Sequence, residues 1–160
     1  MLRIVPALSE ETLSQARNLF RDYARIPGVA PCIENFENEV AALPGSYAPP
    51  AGRLLLALQE NSGGPGEAAG CAALRKFNQD ACEMKRLYVR PAFRGAGAGR
   101  ELVKELIAEA RSIGYRRMLL DTLPSMKEAH ELYRSLGFRE IPSYQENPVP
   151  GALFFELMLR

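Results

Sequence analysis

Three glycines at alternate positions, Gly95, Gly97 and Gly99, lie where an apolar strand pattern gives way to a helical one. Glycine adopts positive φ and has no Cβ to hold a ligand away, and the start of a helix presents unpaired N–H groups with a partial positive charge. Arg94 precedes the glycines and Arg100 follows them. These residue types in this order favour a phosphate-binding loop.

The spacing of the glycines restricts the class of phosphate compound. A dinucleotide fingerprint requires Gly-x-Gly-x-x-Gly, but the sixth position counted from Gly95 is Arg100. The segment also lacks the Gly-Lys-Ser/Thr ending of a P-loop. A second glycine cluster, at positions 61–66, has no helical pattern after it and predicts a hairpin tip. A Rossmann domain and a P-loop are therefore disfavoured.

Apolar periodicity predicts the elements that position this loop. Ser9 is expected to cap the first helix, Ser125 to Glu128 to form a capping box for the last one, and Gly114 and Gly137 to end the last two helices. The element order is β, α, α, β, β, β, α, β, α, β, β, which predicts an α+β fold with helices on the faces of a mixed sheet. The predicted strands cover residues 2–5, 53–59, 68–76, 81–89, 117–121, 138–141 and 152–159.

Composition bounds the class of protein. A chain of 160 residues is expected to form one domain. Its 20 basic and 19 acidic residues give no excess of positive charge for nucleic-acid binding. No apolar run is long enough to cross a membrane and no secretory signal is evident, so a cytoplasmic protein is expected. The spacing of Cys32, Cys71 and Cys82 predicts neither a disulfide framework nor a metal site.

Two segments resemble the GNAT superfamily of N-acetyltransferases. Leu87-Tyr-Val-Arg-Pro-Ala-Phe-Arg-Gly-Ala-Gly-Ala-Gly99 is similar to its acyl-CoA signature, Arg/Gln-x-x-Gly-x-Gly/Ala, and Ala129 to Phe138 is similar to its second motif, A-x-x-L-Y-x-x-L-G-F. The resemblance is specific from about residue 82 to 141, and the element order extends it over a single domain, 1–160. It implies a mostly antiparallel, twisted sheet of six to seven strands flanked by about four helices.

The resemblance also implies acetyl-CoA as co-substrate, with no metal. The strand before the loop would pair with the pantetheine arm and splay from its neighbour, and the loop amides would hold the pyrophosphate. Many relatives carry an asparagine seven residues before the motif tyrosine, where this chain has Met126, with Ser125 as the nearest polar substitute. The implied cofactor residues are Leu87, Tyr88 and Val89 for the arm, and Arg94, Gly95, Ala96, Gly97, Ala98, Gly99 and Arg100 for the pyrophosphate.

Acyl transfer to an amine needs a proton donor for the departing thiolate and a means to keep the amine neutral. Tyr133 matches the family's usual donor, although it could simply pack in the core. Glu83 is the acidic residue on the strand that enters the loop and is the candidate base. Strand alternation places Glu83 on the side of Lys85, Leu87 and Val89, so it could instead pair with Lys85.

Two other reactive residues have simpler interpretations. Cys82 would allow an acyl-cysteine mechanism, but no neighbouring base would generate a thiolate, so a buried cysteine is expected. His130 lies off the apolar stripe of its helix and is expected to face solvent or to be paired locally. Arg100 and Lys104 could flank phosphates or form a solvated face beside Glu101 and Glu105.

The leading hypothesis is an acetyl-CoA-dependent N-acetyltransferase that acts on a primary amine of a small molecule or peptide by direct attack in a ternary complex. The alternative is a weak or inactive acyl-CoA-binding sensor with the same fold. The family's acceptor side implies roles for Arg25, Tyr47, Tyr144 and Asn147, although the loop that holds the last two could be a structural lid. The sequence does not identify the acceptor, and it is compatible with a homodimer.

Overall fold

The computed structural model describes residues 2–29, 35–61, 64–146 and 148–159. Cys32 and Asn147 therefore lie outside the described residues. The predicted α+β fold of seven strands and four helices is confirmed. The strands are β1 (Leu2–Pro6), β2 (Arg53–Asn61), β3 (Gly64–Lys76), β4 (Ala81–Val89), β5 (Arg117–Thr122), β6 (Arg139–Ile141) and β7 (Leu153–Met158). The helices are α1 (Glu10–Ala24), α2 (Phe36–Ala42), α3 (Ala98–Ile113) and α4 (Lys127–Ser135).

The strands form one mixed sheet in the order β1-β2-β3-β4-β5-β7-β6. Every neighbouring pair is antiparallel except β4 and β5, which are parallel. The connection between these two passes through α3, as a parallel crossover requires. β2 and β3 pair antiparallel as far as Asn61 and Gly64, which agrees with the hairpin predicted for the second glycine cluster.

Two hydrophobic cores lie on opposite faces of this sheet. One face packs against α3, whose buried residues recur at the spacing of an amphipathic helix: Leu102, Val103, Leu106, Ile107 and Ala110. The other face packs against α1, mainly through Leu13, Ala16, Leu19 and Phe20. No helix in the described part of the chain is both long and apolar enough to span a membrane.

The helix ends confirm some of the predicted caps and correct one. Ser9 caps α1, because its Oγ accepts a hydrogen bond from the Thr12 amide at 3.1 Å. The predicted capping box of α4 is wrong. The turn closed by the hydrogen bond from the Met126 amide to the Leu123 carbonyl makes Met126 the cap residue, with no side-chain cap bond. Ser125 therefore lies outside the helix and is exposed.

A β-bulge in β4 corrects the predicted alternation of that strand. Cys71 pairs with Tyr88 and Ala73 pairs with Lys85, so the register shifts between them and β4 carries one residue more than β3. Arg86, inside this interval, has a φ of 61°. The bulge reverses which face each following side chain occupies. Glu83 and Lys85 consequently face α1, whereas Leu87 and Val89 pack in the core beneath α3.

A charge pair holds the strained residue of the bulge. A left-handed φ is uncommon for a non-glycine residue and persists only where its surroundings fix it. The guanidinium of Arg86 donates two hydrogen bonds, both of 2.9 Å, to the Glu39 carboxylate on α2. Arg86 is buried and also lies 6.0 Å from the centroid of the Tyr23 ring. The fold therefore ties α2 to the bulge.

Replacing Glu39 with glutamine is expected to lower the free energy of unfolding by about 1–2 kcal/mol, because it leaves the buried Arg86 cation with a neutral partner. Glu37→Gln is the matched control, since Glu37 is an exposed carboxylate in the first turn of the same helix. Urea denaturation of both variants measures the difference. Equal stability of the two would show that the Glu39 pair does not stabilise the bulge.

Candidate active site

The sheet opens between β4 and β5. The two strands pair only at Ala81 with Arg117, Cys82 with Met118 and Glu83 with Leu119. Past Glu83 the edge of β4 that faces β5 has no ladder partner among the described strands, while its other edge stays paired with β3 as far as Val89. The splay predicted for this strand is confirmed, and it leaves backbone hydrogen-bonding groups available to a ligand.

A groove of about 910 Å³ runs from this opening across the start of α3. Every cofactor residue predicted from the sequence lies on its wall except Ala96. The chain after α1 and the start of α4 complete the wall, and in these two segments the sequence had pointed only to Ser125 and Met126. The residues found only with the structure include Ile26, Pro27, Phe93, Lys127 and Leu132.

The glycine loop leaves open space in front of the α3 N-terminus. Gly97 is the cap residue of α3 and has a φ of 86°. A Cβ added at Gly95 or at Gly97 would meet no atom within 4 Å, so both positions border the open groove. At Gly99 a Cβ would lie 3.7 Å from Leu132 and from Val89, an ordinary packing distance. This space beside unpaired helix N–H groups fits a phosphate.

The basic residues around the glycine loop make different polar contacts. The Nε of Arg94 donates to the Val89 carbonyl at 2.9 Å, which fixes the exposed side chain at the mouth of the groove. Arg100 donates to the Ser135 hydroxyl at 2.9 Å. Lys104 lies 3.9 Å from the Glu101 carboxylate in an exposed pair. Lys104 thus belongs to a solvated surface face, the second of its two predicted roles, whereas Arg94 and Arg100 line the groove.

Beyond the groove, a smaller cavity of about 90 Å³ passes through the opening in the sheet. Residues from both faces line it, with Tyr133 and Leu87 from the α4 side and Tyr23 and Lys85 from the α1 side. Met126 borders the cavity and the groove alike. Its Sδ accepts a hydrogen bond from the Thr122 hydroxyl at 3.7 Å. The two spaces therefore meet beside Met126.

Tyr133 points from α4 into the inner cavity. Its ring packs against Phe138 and Phe155, with centroids 5.6 and 5.8 Å away. Its hydroxyl makes no hydrogen bond to another residue in the described ranges. Burial, and to a lesser degree Tyr23 and Asp121, raise the pKa of the phenol above its ordinary value. The side chain therefore stays protonated and can donate into the cavity.

Lys85 and Asp121 form a charge pair on the wall of this cavity. The Nζ of Lys85 donates to Oδ1 of Asp121 at 3.0 Å, across the unpaired parts of β4 and β5. Burial acts to raise the pKa of Asp121, but the ammonium of Lys85, with smaller contributions from hydrogen bonds to Gln145 and to the backbone, outweighs it, so the pKa is lowered from its ordinary value. Within the described part of the chain, no cluster of His, Cys, Asp and Glu could hold a metal ion.

Glu83 lies behind this pair and off the cavity wall. Arg75 donates two hydrogen bonds to its Oε1, at 3.1 and 2.9 Å, and the Tyr144 hydroxyl donates to its Oε2 at 2.7 Å. Lys85 is 3.8 Å from the same Oε2. Both carboxylate oxygens of the candidate base are therefore engaged, and the suggested pairing with Lys85 is present as an ion pair.

Cys82 and His130 are both buried. Burial raises the pKa of the Cys82 thiol to about 12, which disfavours a thiolate. His130 is only 5% exposed, and its Nε2 lies 2.9 Å from the Leu123 carbonyl. The solvent-facing alternative for His130 is wrong and the local pairing is right, because this face of α4 packs over Phe155, with ring centroids 6.0 Å apart. Burial lowers the pKa of the imidazole.

The candidate acceptor residues that the structure describes, Arg25, Tyr47 and Tyr144, do not line the inner cavity. Arg25 is exposed and pairs with Asp22 at 2.9 Å. Tyr47 is fully buried against Phe20, and burial raises its pKa to about 12. Tyr144 is held by Glu83, and Asn147 is outside the described residues. The early helical region and the loop before β7 do reach the cavity, through Tyr23, Val29, Val149 and Ala152.

Comparisons with known proteins agree with this geometry. Residues 13–138 match the Acetyltransferase (GNAT) family. An uncharacterised N-acetyltransferase of Schizosaccharomyces pombe is 38% identical over 148 residues, which cover 92% of this chain and 88% of that protein. A GNAT-family acetyltransferase of Staphylococcus aureus Mu50 has the same fold, with a TM-score of 0.82 and 15% identity over 100% of both chains. The yncA protein of Salmonella typhimurium, whose structure contains its cofactor acetyl-CoA, has a TM-score of 0.74 at 20% identity over 100% of this chain and 95% of that one. The family match and the yeast relative together establish that this chain belongs to the GNAT family of acetyltransferases.

Proposed function

We propose that this chain transfers an acetyl group from acetyl-CoA to a primary amine of a small molecule or peptide in a ternary complex. One observation carries the proposal: the opening between β4 and β5 joins a groove that begins at the Gly97 helix start to a cavity that contains the Tyr133 side chain. The two reactants could therefore approach the same point from opposite faces of the sheet.

The groove fits acetyl-CoA in shape and chemistry. The GNAT family uses this co-substrate. The N-terminal amides of α3 and the exposed Arg94 and Arg100 would hold the pyrophosphate, in the open space that glycine leaves there. The free edge of β4, from Leu87 to Val89, would pair with the amides of the pantetheine arm. Lys127, at the first turn of α4, adds a further cation on the wall.

Acetyl-CoA supplies an activated thioester, so that as the new C–N bond forms and the C–S bond breaks, the amine loses a proton and the sulfur gains one. Tyr133 is placed to provide the proton to the sulfur, because its hydroxyl faces the cavity and burial keeps it protonated. Asp121 lies on the cavity wall and can accept a hydrogen bond from the amine. Glu83 remains the proposed base. Because it lies off the cavity wall and 3.8 Å from the Lys85 ammonium, beyond hydrogen-bonding distance, a bridging water would have to carry the proton to it.

The acyl-CoA sensor remains the second candidate because of Met126. This residue lies where many relatives have an asparagine, and its thioether borders both the groove and the cavity. A thioether is only a weak hydrogen-bond acceptor and cannot donate. A sensor and an enzyme would bind the cofactor alike, so turnover decides between them.

In a thermal-shift screen, acetyl-CoA and CoA are expected to raise the melting temperature, whereas NAD and ATP are not. A ligand that binds only the native state stabilises it, by about 2.7 kcal/mol at 100 times its Kd. Each compound is tested at the same concentration. A response to ATP equal to that of CoA, or no response to CoA, would exclude the proposed cofactor site. Release of free thiol with a panel of primary amines then separates an enzyme from a sensor.

A further inference from the structure

We infer that the acceptor is a free amino acid, bound in the inner cavity with its carboxylate on Lys85 and its amine beside Asp121. The inference rests on the proposed function and narrows its acceptor from primary amines in general to amines with a carboxylate close by.

The hydrogen-bonding capacity of Lys85 is the first step. An ammonium has three donors. Within the described ranges Lys85 makes one hydrogen bond, to Asp121 at 3.0 Å, and Glu83 lies at 3.8 Å, beyond hydrogen-bonding distance. The side chain is only 13% exposed, so bulk water does not freely satisfy the remaining donors. A partly buried ammonium with free donors on a cavity wall favours an anionic ligand group.

The balance of charge around the cavity is the second step. Arg86 also lines the wall, but its guanidinium is committed to Glu39 through two hydrogen bonds. Lys85 and Asp121 are likewise of opposite sign, so the lining is close to neutral. A polyamine would bring several positive charges towards Lys85 and Arg86, whereas an amino acid adds no net charge and has one group for each member of the Lys85–Asp121 pair.

The size and walls of the cavity are the third step. About 90 Å³ accommodates a few non-hydrogen atoms and excludes a folded polypeptide surface. Besides the charge pair, the aliphatic residues Val29, Val149 and Ala152 line the cavity. Such a wall suits a small apolar side chain. A peptide N-terminus has an amide where the free amino acid has its carboxylate, and so offers the Lys85 ammonium a neutral carbonyl instead of an anion.

The first test uses the unaltered protein with saturating acetyl-CoA and a panel of free amino acids, their amides, the matching amines without a carboxylate, and spermidine. Thiol release is expected to be at least about 10-fold faster, as kcat/KM, with the best free amino acid than with its amide, because a neutral carbonyl replaces the carboxylate that pairs with the Lys85 ammonium. The amine of the amide has the lower pKa, so a larger fraction of it is neutral near pH 7, and this difference in protonation would by itself favour the amide. Equal or faster turnover of amides, amines or spermidine would overturn the inference.

The second test replaces Lys85 with methionine, a side chain of similar length without charge. We expect KM for the preferred amino acid to rise about 10-fold, with a smaller change in kcat and an unchanged thermal shift from CoA. Lys76→Met is the control, because Lys76 is an exposed lysine on the neighbouring strand β3 and lies outside the site. An equal KM in the two variants would remove Lys85 from acceptor binding.

Binding without turnover separates this inference from the proposed function. With CoA in place of acetyl-CoA no acetyl group can move, and the preferred amino acid is expected to raise the melting temperature of the CoA-saturated protein more than its amide does. If amines without a carboxylate are acetylated best, the transferase stands and the amino-acid assignment is wrong. If no amine is acetylated while CoA binds, the transferase proposal is wrong and the acceptor assignment falls with it.

Discussion

Replacing Tyr133 with phenylalanine is expected to lower kcat about 100- to 1,000-fold, the range that general acid catalysis commonly contributes. The hydroxyl faces the cavity without a hydrogen bond to another described residue, so its removal leaves no protein group unpaired. The packing of the ring against Phe138 and Phe155 is unaffected by the loss of one oxygen. Turnover should therefore fall while the thermal shift with CoA and the free energy of unfolding stay unchanged.

Tyr115→Phe is the matched control for this variant. Tyr115 is another buried tyrosine of the same core, and its hydroxyl donates to the Ala51 carbonyl at 2.8 Å, away from the inner cavity. Its loss should cost about 1 kcal/mol of stability, as for a typical hydrogen bond, with no change in kcat. Tyr133→Phe should thus lower kcat without changing stability, whereas Tyr115→Phe should lower stability without changing kcat. A kcat for Tyr133→Phe within about twofold of the unaltered protein would assign Tyr133 to packing alone.

The glycine loop could be predicted because its determinants are local. Glycine, a helix start and an amphipathic stripe are all properties of consecutive residues, and the structure places the α3 N-terminus at Ala98, as the pattern indicates. The helical pattern between β4 and β5 is also local, and it is long enough for the crossover that the parallel pair of strands needs. Elements that depend on one stretch of chain are therefore well predicted.

The bulge in β4 could not be predicted from the sequence. Alternation assumes that every residue of a strand has one partner, and an extra residue reverses the assignment from that point onwards. Glu39, which holds Arg86 in its left-handed conformation, lies 47 positions away in the chain, on helix α2. The sequence consequently placed Glu83 with Leu87 and Val89, on the wrong face relative to them.

The charge pair of the inner cavity could not be predicted from the sequence either. Lys85 and Asp121 are 36 positions apart and meet only because β4 and β5 are parallel neighbours that splay at this point. Glu83, which stands out in the sequence as an acidic residue near the loop, is instead occupied by Arg75 and Tyr144 from two other parts of the chain. Most of the predicted cofactor-binding residues belong to one continuous motif, so the sequence could identify them. The residues that line the acceptor cavity come from several separate segments of the chain, so it could not.

Replacing Gly97 with alanine is expected to weaken CoA binding about 100-fold, which corresponds to the loss of about two charge-assisted hydrogen bonds. A methyl group at this position would project into open space in front of the α3 N-terminus, where the pyrophosphate is proposed to lie. It would hold the phosphates away from the helix amides. Because the φ of Gly97 is 86°, alanine should also lower the free energy of unfolding, by about 1–2 kcal/mol.

Gly114→Ala separates these two effects. Gly114 ends the same helix, has a φ of 111°, and likewise has no atom within 4 Å of an added Cβ. Both variants should therefore lose similar stability in urea denaturation, but only Gly97→Ala should lose CoA affinity in titration calorimetry. Equal affinities would mean that the positive φ of Gly97 serves the helix alone. A loss of CoA affinity confined to Gly97→Ala would show that Gly97 also serves cofactor binding. Both variants carry the same backbone strain, so only the position of Gly97 at the N-terminal end of α3 could explain the difference.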